Sequence, residues 1–540
     1  MNKMYKVIWN KARHCYVVVS EFAKRNSKSV TTKSCPSQSL VAALTVIALC
    51  AGMTGVVNAA ENNTDGTGLG VAFGSNSNAN SRDSVAVGQD TKSGGASVAI
   101  GGGAQAADGN SVAIGPSTVA EGHGSIAIGN TAKAEFGTAI AIGSLSNATM
   151  NGMALGVSAN AASNSVALGL ESNAAGVGAV ALGYQAVGQG IFSNAIGVMS
   201  NATGKNSTAI GYSAKATAEG AMAFGHSAQG TGTYSTAIGE TATASAENAV
   251  ALGYSARGTG KSSTAIGEAA VATREGAMAF GHSSRGTGTY STAIGEEAAA
   301  TSTGAIAFGI LSNGSGEYST AIGAGAQSTS TKSVALGYLA KGTGEDSIAI
   351  GDKAEATKNG ALAFGHTAKG TGTYSTAIGE QAVSSSTGAV ALGFLSKGIG
   401  EYATAVGAGA NTNGKNSLAI GFYSSSLADS AVALGDSAIA RGASSLALGN
   451  NAYTNGQYAT AIGWSSKASA KSAFAIGYKA EARSTDTLAI GTEALVEGDG
   501  AMAIGASTRA SQANALAIGS ASSAYGINAV ALGPLSDAEA

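Results

Sequence analysis

Beyond position 50 this 540-residue chain contains no cysteine; Cys15, Cys35 and Cys50 are its only three. No disulfide and no thiolate chemistry can therefore serve the remainder of the chain. Aromatic residues make up 5% and charged residues 11%, so both are few. Glycine is abundant, 80 residues or about twice its usual share, yet the three-residue period of collagen is missing. The calcium-binding Gly-Gly-x-Gly-x-Asp nonapeptide is also missing. No nucleophile–base pair and no isolated carboxylate pair stands out, so the sequence offers no catalytic residues, cofactor site or metal site.

The first sixty residues differ from the rest. They carry eight Lys and Arg against a single acid, Glu21, followed by an apolar run from Leu40 to Cys50. Small residues at Val57-Asn58-Ala59 suit cleavage between Ala59 and Ala60. This is the pattern of a secretory signal, residues 1–59, with a long basic front and a helical apolar core. A retained membrane helix is the alternative, opposed by the shortness of the run and its interruption by Thr and Gly. Leu49 is a poor neighbour for a lipidated Cys50, which argues against a lipoprotein. Removal of this segment leaves 22 basic and 31 acidic residues, a net charge near −9, a poor match for nucleic acid.

What fills the chain is one phrase: an apolar residue or Thr, then Ala, then an apolar residue, then Gly. It recurs 34 times between Gly74 and Gly533. From Gly183 onward the glycines fall every 14 residues; earlier, the steps to Gly101, Gly156 and Gly169 are 13. A fixed short period marks a stacked repeat protein. With this glycine as position 0, position −2 is Ala in every copy and −1 is Ile, Leu, Val or Phe. Position −3 is mostly apolar, with Thr in eight copies and Asn194 once. Positions +3 and +5 are small, as in Ala214 and Ala216, while +1, +4 and +6 vary.

Alternation over −4 to −1 predicts a strand, and +3 to +7 predicts a weaker one. Glycines at this density would cost a helix about 1 kcal/mol each. At Gly183, Gly197, Gly211, Gly225 and Gly239 they suit turns needing positive φ or close backbone approach. Each repeat thus reads as one flattened coil: strand, turn, strand, turn. Stacked about 4.8 Å apart, 34 coils would extend roughly 160 Å. We expect the larger −3 and −1 side chains to fill the roll against small +3 and +5 residues, with the Ala ladder facing outward. The reverse assignment is the alternative. With only two or three sizeable apolar side chains per coil, a single roll is marginal. Association with closed cyclic symmetry is therefore expected.

Two stretches resemble known families. The opening, Met1 to Asn10 and Val17 to Lys24, resembles the extended signal peptide region of large Gram-negative autotransporters, which implies slowed export across the inner membrane. The phrases ending Asn110-Ser-Val-Ala-Ile-Gly115, Asn164-Ser-Val-Ala-Leu-Gly169 and Asn416-Ser-Leu-Ala-Ile-Gly421 resemble the head repeats of YadA-like trimeric autotransporter adhesins. That resemblance covers roughly residues 69–533. It implies an all-β, left-handed parallel β-roll over residues 60–540, assembled as a homotrimer on the bacterial outer surface. Its implied partners are host matrix molecules, host cells or other bacteria, with adhesion as the function. Members of the family continue into a neck, a coiled-coil stalk and a C-terminal barrel anchor. Here the sequence shows neither heptads nor terminal amphipathic strands, so we expect a fragment or a chain unable to anchor itself.

Three features are candidates for binding. Tyrosines at position −5 recur at multiples of 28 residues: Tyr234, Tyr290, Tyr318, Tyr374, Tyr402 and Tyr458. A row of such rings could grip an extended partner by many weak contacts, or could merely cover the coil edge after duplication of a two-coil unit. His226, His282 and His366 each follow an Ala-Phe-Gly, but they stand four and six coils apart. Only a ring of equivalents across a trimer could bind a metal. Thr231-Gly232-Thr233 and its two relatives resemble the threonine ladders of ice-binding rolls, though Tyr breaks the pattern. The sequence thus predicts a non-enzymatic adhesin head, with a structural spacer or surface fibre as the alternative.

Overall fold

The computed structural model describes residues 5–10, 15–20 and 70–539. Near the N-terminus, Tyr5–Asn10 and Cys15–Ser20 form an antiparallel pair running from Tyr5 opposite Ser20 to Asn10 opposite Cys15. The expected helical signal peptide is therefore corrected over these residues. Both segments are rich in β-branched and aromatic residues (Val7, Ile8, Trp9; Tyr16, Val17, Val18, Val19), which favour a strand. The apolar run 40–50 and the expected cleavage point at Ala59 and Ala60 lie outside the described residues.

From residue 70 onward each repeat makes one coil of a β-roll. A three-residue strand occupies −3 to −1 and a two-residue strand +4 to +5, with 34 strands of each kind. No helix occurs among the described residues. Consecutive coils pair in parallel and in register: Ile126, Ala127 and Ile128 face Ile140, Ala141 and Ile142, while Lys133 and Ala134 face Asn147 and Ala148. Identical repeat positions thus stack into ladders. The shorter repeats keep this register, since Val85, Ala86 and Val87 still face Val98, Ala99 and Ile100. The missing residue comes out of the corner between the short and long strands, where the other coils carry one more residue.

The sidedness is the reverse of the one favoured from sequence. From Ala86 to Ala531 every −2 Ala is buried, with relative exposure of at most 2%. The −3 and −1 residues beside it are half-buried or exposed: Ile238 is 42% and Phe308 50% exposed. The interior is made of −4, −2, +3 and +5, all Ala, Ser, Thr or Gly except Val496, the largest fully buried side chain. The physical reason is thickness. A Cβ placed on Gly258 would lie 2.5 Å from the Val250 carbonyl oxygen of the opposite strand. Backbones this close favour groups no larger than Ala, Ser or Thr, with Val496 the one larger side chain admitted, so the bulkier residues of the alternating strand point out.

This thin core explains part of the 28-residue super-period. Gly at +5 is followed by Ser at −4 in the same coil (Gly230 and Ser235, Gly258 and Ser263, Gly286 and Ser291) except at Gly398, where Ala403 follows. The intervening coils carry Ala at both (Ala244 and Ala249, Ala272 and Ala277). A Cβ at Gly188 would stand 3.4 Å from Ser193 Oγ, so the larger residue fills what its glycine partner vacates. Interior hydroxyls mostly donate to nearby carbonyls, as Ser111 Oγ does to the Asp108 oxygen at 2.7 Å.

Position-0 glycines turn the chain out of the long strand. Gly183, Gly197, Gly211, Gly225 and Gly239 have φ of 134°, 128°, 133°, 134° and 133°. A Cβ at Gly183 would also fall 2.5 Å from the Gly197 carbonyl oxygen in the next coil. Conformation and proximity together bar any side chain there. The corners are bonded coil to coil as well: Gly115 N–H donates to the Ile100 carbonyl at 2.7 Å and Ser117 N–H to Gly102 at 2.8 Å.

Candidate functional site

With the interior uniform, chemical variety is confined to the outward positions of the strands and to the two corners. The −5 tyrosines stand at the corner leading into the long strand. Tyr234, Tyr290, Tyr318, Tyr374 and Tyr402 have φ between 53° and 56°, the left-handed region, and are 55–70% exposed. A bulky residue is uncommon there. In each case the preceding coil has glycine at the same position, and the ring lies over it: Tyr234 on Gly220, Tyr290 on Gly276, Tyr318 on Gly304, Tyr374 on Gly360, Tyr402 on Gly388. A Cβ added at Gly220 would come 2.5 Å from Tyr234 Cδ1. The edge-covering role weighed from sequence is thus visible, and it leaves much of each ring in solvent. Tyr290 Oη also donates to Glu275 Oε1 at 3.2 Å, in the coil before.

The row is not evenly filled. Tyr290 and Tyr318 are two coils apart, as are Tyr374 and Tyr402, while Ser262 interrupts the two-coil spacing between Tyr234 and Tyr290 and Asp346 that between Tyr318 and Tyr374. Beside the Tyr290 and Tyr318 corner lie two adjoining shallow hollows of about 420 and 580 Å³. Thr287, Thr289, Thr301 and Thr303 line the first, Thr329 and Thr331 the second, and Ser302 and Glu317 belong to both. Thr231-Gly232-Thr233 occupies the equivalent corner, with Gly232 buried between its two threonines.

At the opposite corner the three histidines are well separated, but each has acidic company in a neighbouring coil. His226 stacks on Tyr212 with centroids 5.1 Å apart, and its Nδ1 lies 4.0 Å from Glu240 Oε1. His282 Nδ1 is 3.9 Å from Glu296. His366 stands between Asp352, 3.5 Å from Nε2, and Glu380, 3.9 Å from Nδ1. Among the described residues no group of three or more His, Cys, Asp or Glu side chains is placed to hold a metal ion. Sequence reasoning overlooked these carboxylates. The signal was present: Gly225-His226 is followed 14 residues later by Gly239-Glu240.

Charges on the short-strand face also form ladders. Glu355 lies 3.4 Å from Lys341 and 3.5 Å from Lys369. Nearer the C-terminus, Lys467, Glu481, Arg483, Glu497 and Arg509 form a continuous chain of contacts of 2.5–3.1 Å. Burial pushes the Glu481 carboxyl up, but hydrogen bonds from Arg483 and Lys467 outweigh it and hold the group below the usual carboxylate range. Trp464 and Tyr478 stack at 4.9 Å, with Lys479 Nζ 5.1 Å from the Tyr478 centroid.

Known families match almost the whole chain. Residues 1–50 match the family described as the extended signal peptide of the type V secretion system. Seventeen segments between residues 70 and 536 match the YadA head domain repeat. No curated protein sequence matches the chain. An export signal of this kind places the protein outside the inner membrane, on the bacterial cell surface. Taken with a β-roll whose every coil carries the repeat, these matches show that the chain belongs to the YadA-like trimeric autotransporter adhesins.

Proposed function

We propose that residues 60–540 form the head of a homotrimer that attaches a Gram-negative bacterium to host matrix, host cells or other bacteria by many weak contacts. The observation that carries this reading is the ladder itself. Each outward position recurs in every coil, so a partner that fits one rung meets the same geometry on the next. Repetition of this kind converts weak contacts into avidity.

The apolar face supports the trimer. Long strands present −3 and −1 residues such as Val250 and Leu252, or Met278 and Phe280, all at least partly exposed along the stack. Soluble monomers rarely leave a contiguous apolar surface of more than a few hundred Å² uncovered. Three copies turned toward one axis would cover all three faces equally and close the assembly. We read the protein as non-catalytic, because its polar side chains are rungs of a repeat and, among the described residues, no convergent set breaks the pattern.

The alternative is a spacer that lifts another domain from the cell. Solid-phase binding of the exported protein to matrix proteins and to cultured cells separates the two. Saturable binding supports the adhesin, and absence of binding to every surface supports the spacer.

A further inference from the structure

We propose that the corner between Arg274 and Asn359 is a binding groove for a neutral, linear glycan, with Tyr290 and Tyr318 as its aromatic platforms. The inference rests on the adhesive reading above and names the chemistry of the ligand.

Four observations converge. The two hollows share Ser302 and Glu317, so they form one continuous groove. It crosses seven coils, or roughly 30 Å at the spacing of paired strands, the reach of a short linear oligosaccharide. Its lining is rich in hydroxyls, with Thr on each side of the corner at 287, 289, 301, 303, 329 and 331. Hydroxyls both donate and accept, the complement of a sugar's own hydroxyls, and carboxylates such as Glu317 accept from them.

The tyrosines supply the apolar half of the site. Thr289 precedes Tyr290 and Glu317 precedes Tyr318, so each ring adjoins the groove in sequence. The rings are 62% and 58% exposed. Their seating on Gly276 and Gly304 limits ring motion, which lowers the entropy lost when a pyranose stacks on them.

Other polymers fit less well. Glu317 and Glu345 outnumber Arg274 in the lining, which disfavours a sulfated or otherwise anionic chain. Addition of a peptide strand needs free main-chain groups. Here the Thr287 N–H already donates to Ala300, Tyr290 N–H to Glu275 and Tyr318 N–H to Thr303.

The test titrates the exported protein with cellohexaose and chitohexaose, using heparin hexasaccharide and a polyproline peptide as competing probes. Two double variants accompany it. Tyr290→Ser with Tyr318→Ser removes the platforms, and serine already occupies this left-handed position at Ser262 and Ser430. Thr289→Val with Thr303→Val removes hydroxyls and keeps side-chain shape. Circular dichroism and thermal melting confirm that each variant is folded, and Tyr458→Ser serves as a distant control. The groove predicts binding of at least one neutral hexasaccharide, weakened at least tenfold by each double variant and unchanged by Tyr458→Ser. The proposal is overturned by preference for heparin or polyproline, by glycan binding that either double variant retains, or by no glycan binding at all. If cells or matrix are still bound without any glycan binding, the groove fails and the adhesin reading stands.

Discussion

The ring of Tyr290 fills the space above Gly276 that a side chain at position 276 would need. Residue 276 has φ of 62°, so glycine answers two demands there, conformation and clearance. The demands can be separated. Asparagine tolerates the left-handed region, so Gly276→Asn isolates the clash. We predict that Gly276→Asn destabilises the roll and that Tyr290→Ser suppresses most of the loss. A double-mutant cycle by thermal or denaturant melting should give a coupling of about 1 kcal/mol, within the range found for residues in contact. Additive effects would mean that the ring does not depend on the glycine.

The second prediction concerns the thin interior. Ala293 is fully buried, while its neighbour Ile294 is half-buried on the outer face. Ala293→Leu should destabilise the coil by roughly 1–3 kcal/mol or more, because overpacking has no void to relax into. Ile294→Ala should act differently. Its loss should depend on protein concentration, since it weakens association between copies. Melting curves recorded over a hundredfold range of concentration distinguish the two.

Acid sensitivity is expected near the C-terminal ion ladder. The folded-state pKa of Glu481 lies below its ordinary value, so its stabilising contribution is present above the unfolded pKa. That contribution is lost as pH falls through the folded value. Glu481→Gln should therefore lower stability at neutral pH and lose its effect in acid. The pair is at the surface, so the difference should be only about 0.5 kcal/mol and should shrink with salt. A pH series of melting temperatures for the two proteins measures it.

Much of this architecture was legible in the sequence. The glycine period set the coil, and the alternation around Ala located the long strand. Sidedness was not legible from alternation alone, because a period of two defines two faces without ranking them. The deciding clue was that −4, −2, +3 and +5 are small together. Two small-residue faces opposite one another mark a thin roll, in which Val496 is the one interior side chain larger than Thr. The Tyr234 and Gly220 pairing was also hidden in plain sight, one coil apart, and became meaningful only when the ring was found to lie on the preceding coil. At the N-terminus, the strand character of Tyr5–Asn10 lay in its β-branched and aromatic residues and was masked by the signal-like pattern that follows.

In our reading, the alanine-cored roll turns its larger apolar side chains outward to be covered by other copies of itself. The mass of the exported protein in dilute solution, by native mass spectrometry or sedimentation equilibrium, tests this most directly. We predict three copies at every concentration at which the roll is folded, with association weakened by polar substitutions such as Ile294→Asp. A stably folded monomer at low concentration, with Ile294 and its ladder exposed to water, would contradict it.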